Sequence, residues 1–518
     1  MPLSVLRGYS LPLILVLVSF GVFAAAARQH PIGTYWTETD FYQYYGPDAE
    51  RIAAWRFPDN PYQGPGYPAA VAFGAKFTGD VFVAGKWISV VSATIVVALA
   101  FMLFARLFGY WTGLAAASLV PVSAQFAQFA ISAATDAFFL MLCLACLVVL
   151  TDERGSVRLR VISAGVLAGL AYLVRYNGIF LIAVGLFAIL ILNLFALEWR
   201  GRAILSMFFL AAFLLIASPW LYANYRQRGS PFYNANYLNI ATEFYPELAE
   251  GRTNQDGTRE IEKTFGSFGD VLRYDPQRLL RHYPANLYHS FVETIRSDLV
   301  SRWTGLAALA GLLIVLVERR SKASLLLLAA AGIYFLLMGL NHWETRYYFF
   351  VMVAYSGLAA YACVRAFEWV RERGMITSRA FVLAPLALIA MMWSSSFAMA
   401  RSDLTAFLEM HPTEVLAACD YLRLQGVSGA QIVARKPHLP FICHQEWVFF
   451  PSVKSLDELR KWLTTHRADY LVISSVELKR RRELSPLKNP ETAPPWLKVV
   501  WASKDPPLIL YRPQATEP

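Results

Sequence analysis

The sequence has little charge, and it lacks the motifs of several common chemistries. Charged residues make up 16% of its 518 residues, whereas a soluble globular chain carries roughly 25%. It contains neither a Gly-x-x-x-x-Gly-Lys-Ser/Thr loop nor a His-Glu-x-x-His helix, which excludes a P-loop and this type of zinc site. Cys143 and Cys146 form a Cys-x-x-Cys pair inside an apolar run, where packing explains them better than redox chemistry.

Hydrophobic residues are abundant and lie in long blocks. They make up 56% of the chain, and the mean hydropathy is +0.40. Many blocks are ~15–23 residues long, which is the length that a helix needs to cross a membrane. We predict eleven spans, at residues 9–27, 84–106, 111–130, 132–150, 158–175, 177–197, 203–223, 303–317, 323–341, 345–364 and 380–399.

Basic residues indicate the orientation of these spans. With a cytoplasmic N-terminus, five basic clusters fall on cytoplasmic connections, as the positive-inside rule requires. The clusters are Arg106; Arg154, Arg158 and Arg160; Arg200 and Arg202; Arg319, Arg320 and Lys322; and Arg365, Arg371, Arg373 and Arg379. The net charge of +10 is therefore a topology signal rather than a nucleic-acid footprint. A cleavable signal peptide ending near residues 24–26 is an alternative for the first span, but its removal would leave the other spans without a leading anchor.

Three parts of the chain are predicted to lie outside the bilayer, on the far side. They are the loop 28–83, with short helices at 48–57 and 68–77, the loop 224–302, with an interfacial helix at 275–299, and the tail 400–518. The predicted fold is thus a polytopic α-helical membrane domain, residues 1–399, with juxtamembrane helices on its outer face. A small soluble α/β domain, residues 400–518, follows it.

The tail carries the signals of that α/β domain. Helical spacing at 412–425 ends at Gly426, and a capping box at Ser455 and Glu458 opens a second helix that continues to residue 466. Residues 431–435 and 470–474 are predicted strands, and 497–501 and 508–511 a hairpin. Cys419 and Cys443 face the oxidising side, and the sequence leaves open whether they form a disulfide.

An acidic and aromatic segment, residues 38–45, follows the first span directly. Asp40 has four aromatic side chains in the next five positions, an arrangement suited to a substrate with an apolar tail and a polar head. The alternative is that these aromatic residues simply lie at the membrane interface, where tyrosine is enriched, and have no role in function. Glu38 is a second carboxylate that could take the role of Asp40, although we expect Glu38→Gln to be mild.

Further ionisable residues lie at span ends on the same outer face. Asp136 opens the fourth span, Arg175 follows the fifth, and His342, Glu344 and Arg346 lie between the ninth and the tenth. Such groups are expensive at the membrane unless they are used or paired. Arginine can bind phosphate through two parallel hydrogen bonds. Ion pairs within the protein, Asp136 with Arg175 or Glu344 with Arg346, are the alternative.

Several short motifs occur in an order that resembles a known class of membrane enzymes. They are Thr39-Asp40-Phe41-Tyr42, Asn60-Pro61-Tyr62-Gln63-Gly64-Pro65-Gly66-Tyr67-Pro68, Thr135-Asp136-Ala137-Phe138, the segment 169–178 that ends in Arg175-Tyr176-Asn177-Gly178, and Thr345-Arg346-Tyr347. Together they resemble the polyprenyl-phosphate-sugar-dependent glycosyltransferases of the GT-C class, in particular its protein O-mannosyltransferase and lipid A aminoarabinose transferase branches. The resemblance covers residues 1–400 in layout.

The resemblance implies roles for individual residues. Asp40 corresponds to the catalytic base of an inverting transfer, and Gln63, Tyr67, Arg175 and Arg346 correspond to the site of the donor phosphate. Asp136, His342 and Glu344 are further candidates for substrate binding. The aminoarabinose enzymes carry a Glu-Lys pair where this sequence has Gln63-Gly64, which puts that acceptor in doubt.

The partners and cofactors follow from the same resemblance. The implied donor is a sugar on a polyprenyl phosphate, and the implied acceptor is a hydroxyl group of a lipid, a glycan or a protein. The expected location is a bacterial inner membrane. No cofactor is required, although a divalent metal bound by Asp40, Asp136, His342 or Glu344 is an alternative. A transporter or flippase of lipid-linked sugars is the alternative function, but the sequence shows no inverted repeat. A membrane scaffold is a third.

The predicted topology can be tested with fusions after Pro518. We expect a phosphatase fused there to be active in the periplasm and a fluorescent protein to be dark, because the basic clusters hold the alternate connections in the cytoplasm. The reverse result would contradict the eleven-span topology.

Overall fold

The computed structural model describes residues 3–249, 254–296, 299–318, 321–373, 379–478 and 482–514, and most of them are helical. The predicted basic residues Arg319 and Arg320 lie outside these ranges. The helices of the first half are α1 (Leu3–Arg28), α2 (Gly46–Ala53), α3 (Gly66–Thr78), α4 (Val81–Phe108), α5 (Tyr110–Leu119), α6 (Ala124–Phe129), α7 (Asp136–Leu150), α8 (Val157–Val174), α9 (Phe180–Leu186), α10 (Trp199–Arg228) and α11 (Asn236–Phe244). Those of the second half are α12 (Asn254–Thr264), α13 (Phe268–Tyr274), α14 (Pro276–Arg296), α15 (Arg302–Glu318), α16 (Lys322–Met338), α17 (Phe349–Glu372), α18 (Arg379–Glu409), α19 (Thr413–Leu424), α20 (His438–Ile442), α21 (Leu456–Thr465) and α22 (Ser475–Leu478).

Several of these helices have the length and composition of membrane spans. Within the described ranges, five segments are long and apolar enough to cross a membrane: Ser10–Arg28, Val81–Phe108, Val157–Val174, Trp199–Arg228 and Thr345–Glu372. Asp136–Leu150, Tyr176–Ile191 and Lys322–Met338 are shorter apolar helices. The chain is a multi-pass membrane protein, as the hydrophobic blocks predicted.

The predicted count of eleven spans is not confirmed by the described residues. The segment 111–130, predicted as one span, consists of two short helices that end and begin on either side of Pro121. Proline lacks the N–H group that a continuous helix requires and clashes with the preceding turn. The segment predicted to start at residue 132 becomes helical only at Asp136.

Helix packing brings three helix ends together. Helix α4 packs against α1, α3, α5 and α7, and α8 packs between α7 and α10. Helix α17 packs against α15 and also contacts α4 and α7. As a result, the start of α7, the end of α8 and the short turn Thr345–Tyr348 before α17 lie near one another.

The second outer loop forms a small helical layer. The predicted interfacial helix at 275–299 is present as α14. Helices α11 to α14 share a hydrophobic cluster that includes Ala241, Phe244, Tyr245, Ile261 and Phe265. This cluster supports α11, whose asparagines face the cavity described below.

The tail folds around a five-stranded sheet. Its strands are β1 (Gln431–Ala434), β2 (Glu446–Phe449), β3 (Tyr470–Ser474), β4 (Leu497–Lys504) and β5 (Pro507–Pro513), in the order β2-β1-β3-β5-β4. Strands β1, β2 and β3 are parallel, and β4 and β5 form the predicted antiparallel hairpin. The sequence prediction missed β2, a short edge strand whose residues are half-buried or exposed and which therefore shows little alternation.

Two features at the start of the tail go beyond the sequence prediction. Cys419 and Cys443 form a disulfide, with Cα atoms 5.4 Å apart. Helix α18 runs past residue 400, the predicted domain boundary, as far as Glu409. The membrane domain and the tail are thus joined through a continuous helix.

The first outer loop is held by one buried carboxylate. Glu38 Oε1 lies 2.7 Å from His30 Nε2 and accepts a hydrogen bond from the backbone N–H of Ala133 at 3.0 Å. Its Oε2 accepts a hydrogen bond from the N–H of Thr34 at 2.8 Å. Burial alone raises the pKa of Glu38, but His30 and the two backbone donors outweigh burial and lower that pKa. Glu38 is therefore structural and cannot reach a substrate, contrary to the expectation that it could replace Asp40.

We expect Glu38→Gln to lower the melting temperature, because the Glu38 carboxylate is buried and accepts hydrogen bonds from two backbone N–H groups. The amide nitrogen would face one of two buried N–H donors and leave it unpaired, which costs roughly 1–3 kcal/mol. Because the pKa of Glu38 is lowered in the folded state, its stabilisation is lost as the pH falls through that value. The difference in melting temperature between wild type and Glu38→Gln should therefore shrink at acidic pH.

Thermal unfolding of the purified protein in detergent, followed across pH, measures this effect. Glu446→Gln on the exposed edge of β2 is the matched control and should leave the melting temperature unchanged. Equal melting temperatures for wild type and Glu38→Gln at neutral pH would show that the loop does not depend on this carboxylate.

Candidate active site

A polar cavity of about 290 Å³ opens where the three helix ends meet. Its lining residues come from the first outer loop, the end of α8, helix α11 and the turn before α17. They are Asp40, Gln43, Tyr44, Tyr45, Asn60, Tyr62, Gln63, Arg175, Tyr176, Asn177, Asn236, Asn239, Asn341, His342, Glu344, Arg346 and Tyr347. A small annex of about 30 Å³ adjoins it, and Asp136 lines this annex. Seven of the eight residues predicted from sequence therefore lie at one site.

Asp40 is placed at the wall that the cavity and its annex share. It immediately precedes a short π-helical turn, Phe41–Tyr45, in which Phe41 and Tyr45 are buried and fix the turn against the membrane domain. The Asp40 side chain makes no capping hydrogen bond to that turn and is 41% exposed. Its Oδ2 lies 3.8 Å from an Nη atom of Arg346. A solvent-accessible carboxylate at the wall of a polar cavity is placed to accept a proton from a bound hydroxyl group.

Arg346 is held by Glu344, as the ion-pair alternative proposed. Arg346 Nε donates to Glu344 Oε2 at 2.5 Å, and His342 Nε2 lies 3.4 Å from Glu344 Oε1. Burial raises the pKa of Glu344, but the hydrogen bond from His342 and the charge of Arg346 outweigh it and lower that pKa to about 2. Glu344 is thus ionised at neutral pH and orients the guanidinium of Arg346.

Arg175 forms the second predicted ion pair, with Asp136. Arg175 follows the last turn of α8 in an extended conformation, and Asp136 is the first residue of α7. The side chains are only 11% and 2% exposed, respectively. Both arginines lie near the ring of Tyr347, with its centroid 5.4 Å from the guanidinium carbon of each. The two cations therefore share one aromatic neighbour at the site.

Gln63 is brought beside Arg175 by two glycines. Gly64 and Gly66 lie so close to the backbone of Leu173 that a Cβ atom on Gly66 would come within 2.8 Å of the Leu173 carbonyl carbon. This close approach carries the loop over the end of α8. Gln63 Oε1 is buried and has no hydrogen-bond partner among the described residues, so a bound hydroxyl could supply the missing donor.

Tyr67 does not line the cavity, contrary to the prediction. It is fully buried, and its hydroxyl donates a hydrogen bond to the carbonyl oxygen of Gly85 at 3.3 Å. Its ring packs edge-on against that of Tyr45, with centroids 5.3 Å apart. Tyr67 therefore supports the site from behind, because the start of α3 turns its side chain toward α4.

The sequence analysis missed the amide side chains of the cavity. Gln43, Asn177, Asn236, Asn239 and Asn341 contribute to the lining. They come from four separate segments, and no local spacing connects them. Amides both donate and accept hydrogen bonds, as sugar hydroxyl groups do.

The divalent-metal alternative gains no support from the described part of the chain. There, no group of three or more His, Cys, Asp or Glu side chains is arranged to hold a metal ion. His342 and Glu344 lie together, but Glu344 is already paired with Arg346. Asp136, another candidate ligand, is already paired with Arg175.

A known protein family matches part of the chain. The family described as dolichyl-phosphate-mannose-protein mannosyltransferase matches residues 59–222. These residues include Gln63, Asp136 and Arg175. No curated protein sequence matches the chain.

Two kinds of solved structure share the fold. ArnT from Cupriavidus metallidurans bound to undecaprenyl phosphate has a TM-score of 0.57 at 14% identity, covering 96% of this chain and 97% of ArnT. The oligosaccharyltransferase of Archaeoglobus fulgidus in the apo form has a TM-score of 0.62 at 12% identity, covering 90% of this chain and 70% of that enzyme. The oligosaccharyltransferase AglB of the same organism, in complex with an inhibitory peptide and a dolichol-phosphate, has a TM-score of 0.60 at 11% identity, covering 90% and 70%.

Identities this low establish the architecture alone. That architecture is the one predicted from the order of the short motifs, and the match over residues 59–222 falls on the part that carries the Gln63 loop, Asp136 and Arg175. The chain therefore shares the fold of these solved membrane glycosyltransferases.

Proposed function

We propose that this protein transfers a sugar from a polyprenyl phosphate to a hydroxyl acceptor at the extracytoplasmic face of a bacterial inner membrane. The observation that carries the proposal is the pairing of Asp40 with Arg346 at 3.8 Å on the wall of one polar cavity. One group can take a proton and the other can hold an anion. In the proposed orientation the N-terminus is cytoplasmic and the C-terminal domain is periplasmic.

The reaction is a displacement at the anomeric carbon with inversion. Asp40 accepts the proton of the acceptor hydroxyl as its oxygen forms a bond to that carbon. The bond between the anomeric carbon and the phosphate oxygen breaks, and the polyprenyl phosphate leaves with the electron pair. Arg346 and Arg175 stabilise the charge that grows on the leaving phosphate, so no separate general acid is required.

The two arginines can bind phosphate although each already has a carboxylate partner. A guanidinium has five N–H donors, and one carboxylate uses at most two or three of them. Glu344 and Asp136 therefore orient Arg346 and Arg175 and leave other donors for the ligand. The solved complexes agree in kind, because ArnT and AglB were solved with undecaprenyl phosphate and dolichol-phosphate, respectively.

Movement of a lipid-linked sugar across the membrane is the alternative function. It would use the same arginines but gives the exposed carboxylate of Asp40 no role. No described contact favours it, so sugar transfer accounts for more of the site.

We expect Asp40→Asn to abolish transfer while leaving the protein folded. The amide keeps the size of the carboxylate but cannot take a proton at neutral pH, and loss of a general base lowers the rate roughly a hundred- to ten-thousandfold. Transfer from a labelled polyprenyl-phosphate sugar measures the rate. Asp59→Asn, an exposed aspartate in the same loop, is the control and should be fully active. Retained transfer in the Asp40→Asn protein would remove Asp40 from the mechanism.

Arg346→Ala is expected to weaken donor binding with little effect on stability. A lost charge-assisted contact to phosphate costs on the order of 1.5–3 kcal/mol, which is roughly a ten- to hundredfold loss of affinity. Its partner Glu344 is partly exposed and keeps His342 nearby. Titration with polyprenyl phosphate alone measures the affinity, and Arg56→Ala on the exposed part of the first loop is the control. Unchanged binding would place the phosphate elsewhere.

Arg175→Ala is the less informative variant, although the sequence alone favours Arg175 over Arg346, which has Glu344 two residues away as a competing partner. Removing the Arg175 side chain leaves the buried carboxylate of Asp136 without its partner. Breaking a buried ion pair in this way costs roughly 3–5 kcal/mol. Loss of activity in that variant would mix unfolding with loss of donor binding.

A further inference from the structure

The C-terminal domain contacts the Asp40 loop immediately before Asp40. Lys436 Nζ donates a hydrogen bond to Thr39 Oγ1 at 2.7 Å. The same hydroxyl donates to the carbonyl oxygen of Tyr35. Thr39 is therefore fixed from both sides, and Asp40 is the next residue along the chain.

The same domain also contacts the loop immediately after Asp40. The ring of Phe441 packs against the ring of Tyr42, with centroids 5.5 Å apart. Gly46 lies so close beneath Phe441 that a Cβ atom there would come within 2.6 Å of Phe441 Cζ. The ring of His438 lies against Tyr42 at 4.2 Å between centroids. Residues 436–441 of the C-terminal domain thus contact the loop on both sides of Asp40.

A lysine at position 436 costs more free energy of desolvation than a contact that only joins two domains requires. Its Nζ lies 4.9 Å from the ring centroid of Trp36, and among the described residues no carboxylate lies within 4 Å of it. Lys436 is half-buried. Removing an ammonium group even partly from water without a paired anion is unfavourable, and an apolar side chain would pack there at lower cost. The nearest charges that act on it are Arg435, Asp40 and Glu477.

We propose that Lys436 is a positioning residue of the active site. Its ammonium group fixes Thr39 and thereby holds the Asp40 carboxylate at the wall of the cavity. This inference rests on the proposed role of Asp40 as the base. It gives the C-terminal domain a part in transfer, since the membrane domain alone leaves both flanks of Asp40 without these contacts.

Lys436→Met tests the inference, because it keeps the length of the side chain and removes the charge and the hydrogen bond. We expect kcat to fall about ten- to a hundredfold, the loss typical of a misplaced catalytic group. The KM for the donor should stay near its wild-type value, since Arg346 holds the phosphate. Lys498→Met on the exposed face of β4 is the matched control and should match wild type.

Lys436→Arg separates positioning from simple packing. Arginine restores a charged donor to Thr39, so kcat should recover in large part. A Lys436→Met protein with wild-type kcat would overturn the inference. So would a loss of kcat that follows the melting temperature and that arginine does not rescue.

Hydrogen exchange gives a readout that is independent of catalysis. In full-length Lys436→Met, backbone amides of residues 34–45 should exchange faster than in wild type, while those of α19 should not change. If wild type transfers no sugar from any polyprenyl-phosphate donor, the proposed function fails, yet this exchange still decides whether Lys436 orders the loop. Unchanged exchange would refute the positioning role.

The pH profile supplies a second signature. Burial lowers the pKa of Lys436 to about 8, with Arg435 acting in the same direction and Asp40 and Glu477 opposing it. The ammonium is therefore lost as the pH rises through about 8, and kcat of wild type should fall there. Arginine stays charged, so Lys436→Arg should retain its kcat to higher pH. Identical alkaline limbs for the two proteins would contradict a role for this charge.

Discussion

The buried carboxylate of Glu38 is the interaction on which the site depends. It accepts hydrogen bonds from its own loop at Thr34 and from Ala133, just before α7, and it contacts His30 at the end of the first span. His30 Nδ1 in turn lies 2.6 Å from Nε2 of His411. His411 lies between α18, the last long helix, and the C-terminal domain. Glu38 therefore joins the first outer loop to the segment before α7, and His30 extends this network to His411. Asp40, two residues away, inherits its position from this network.

Charge pairing at the cavity orients cations rather than cancelling them. Arg346 and Arg175 each have a carboxylate partner, and both lie near the ring of Tyr347. An arginine held in this way loses less conformational entropy when a ligand binds than a free one does. The ion pairs and the proposed phosphate site are therefore compatible, whereas the sequence presented them as alternatives.

Much of the fold follows from local sequence signals. The apolar blocks, the capping box at Ser455 and the interfacial helix near residue 280 all appear where hydropathy and capping predict them. The errors occur where local signals are weak. Pro121 breaks a block that hydropathy alone joins, and β2 is too short and exposed to alternate. Tyr67 was misplaced because a motif gives the residue type but not the direction of its side chain.

The sequence by itself determined that the chain crosses a membrane repeatedly and that ionisable residues cluster at the ends of its spans, because both follow from hydrophobicity and spacing along the chain. Only the tertiary structure decided which of two neighbouring carboxylates is free. Glu38 and Asp40 differ by two positions, yet one is fully buried among backbone donors and the other opens onto the cavity. The tertiary structure also brings the amides of α11 to the cavity. It brings Lys436 of the C-terminal domain to Thr39, next to Asp40. These contacts join residues hundreds of positions apart, and only the packing of the helices and the docked sheet domain sets their distances.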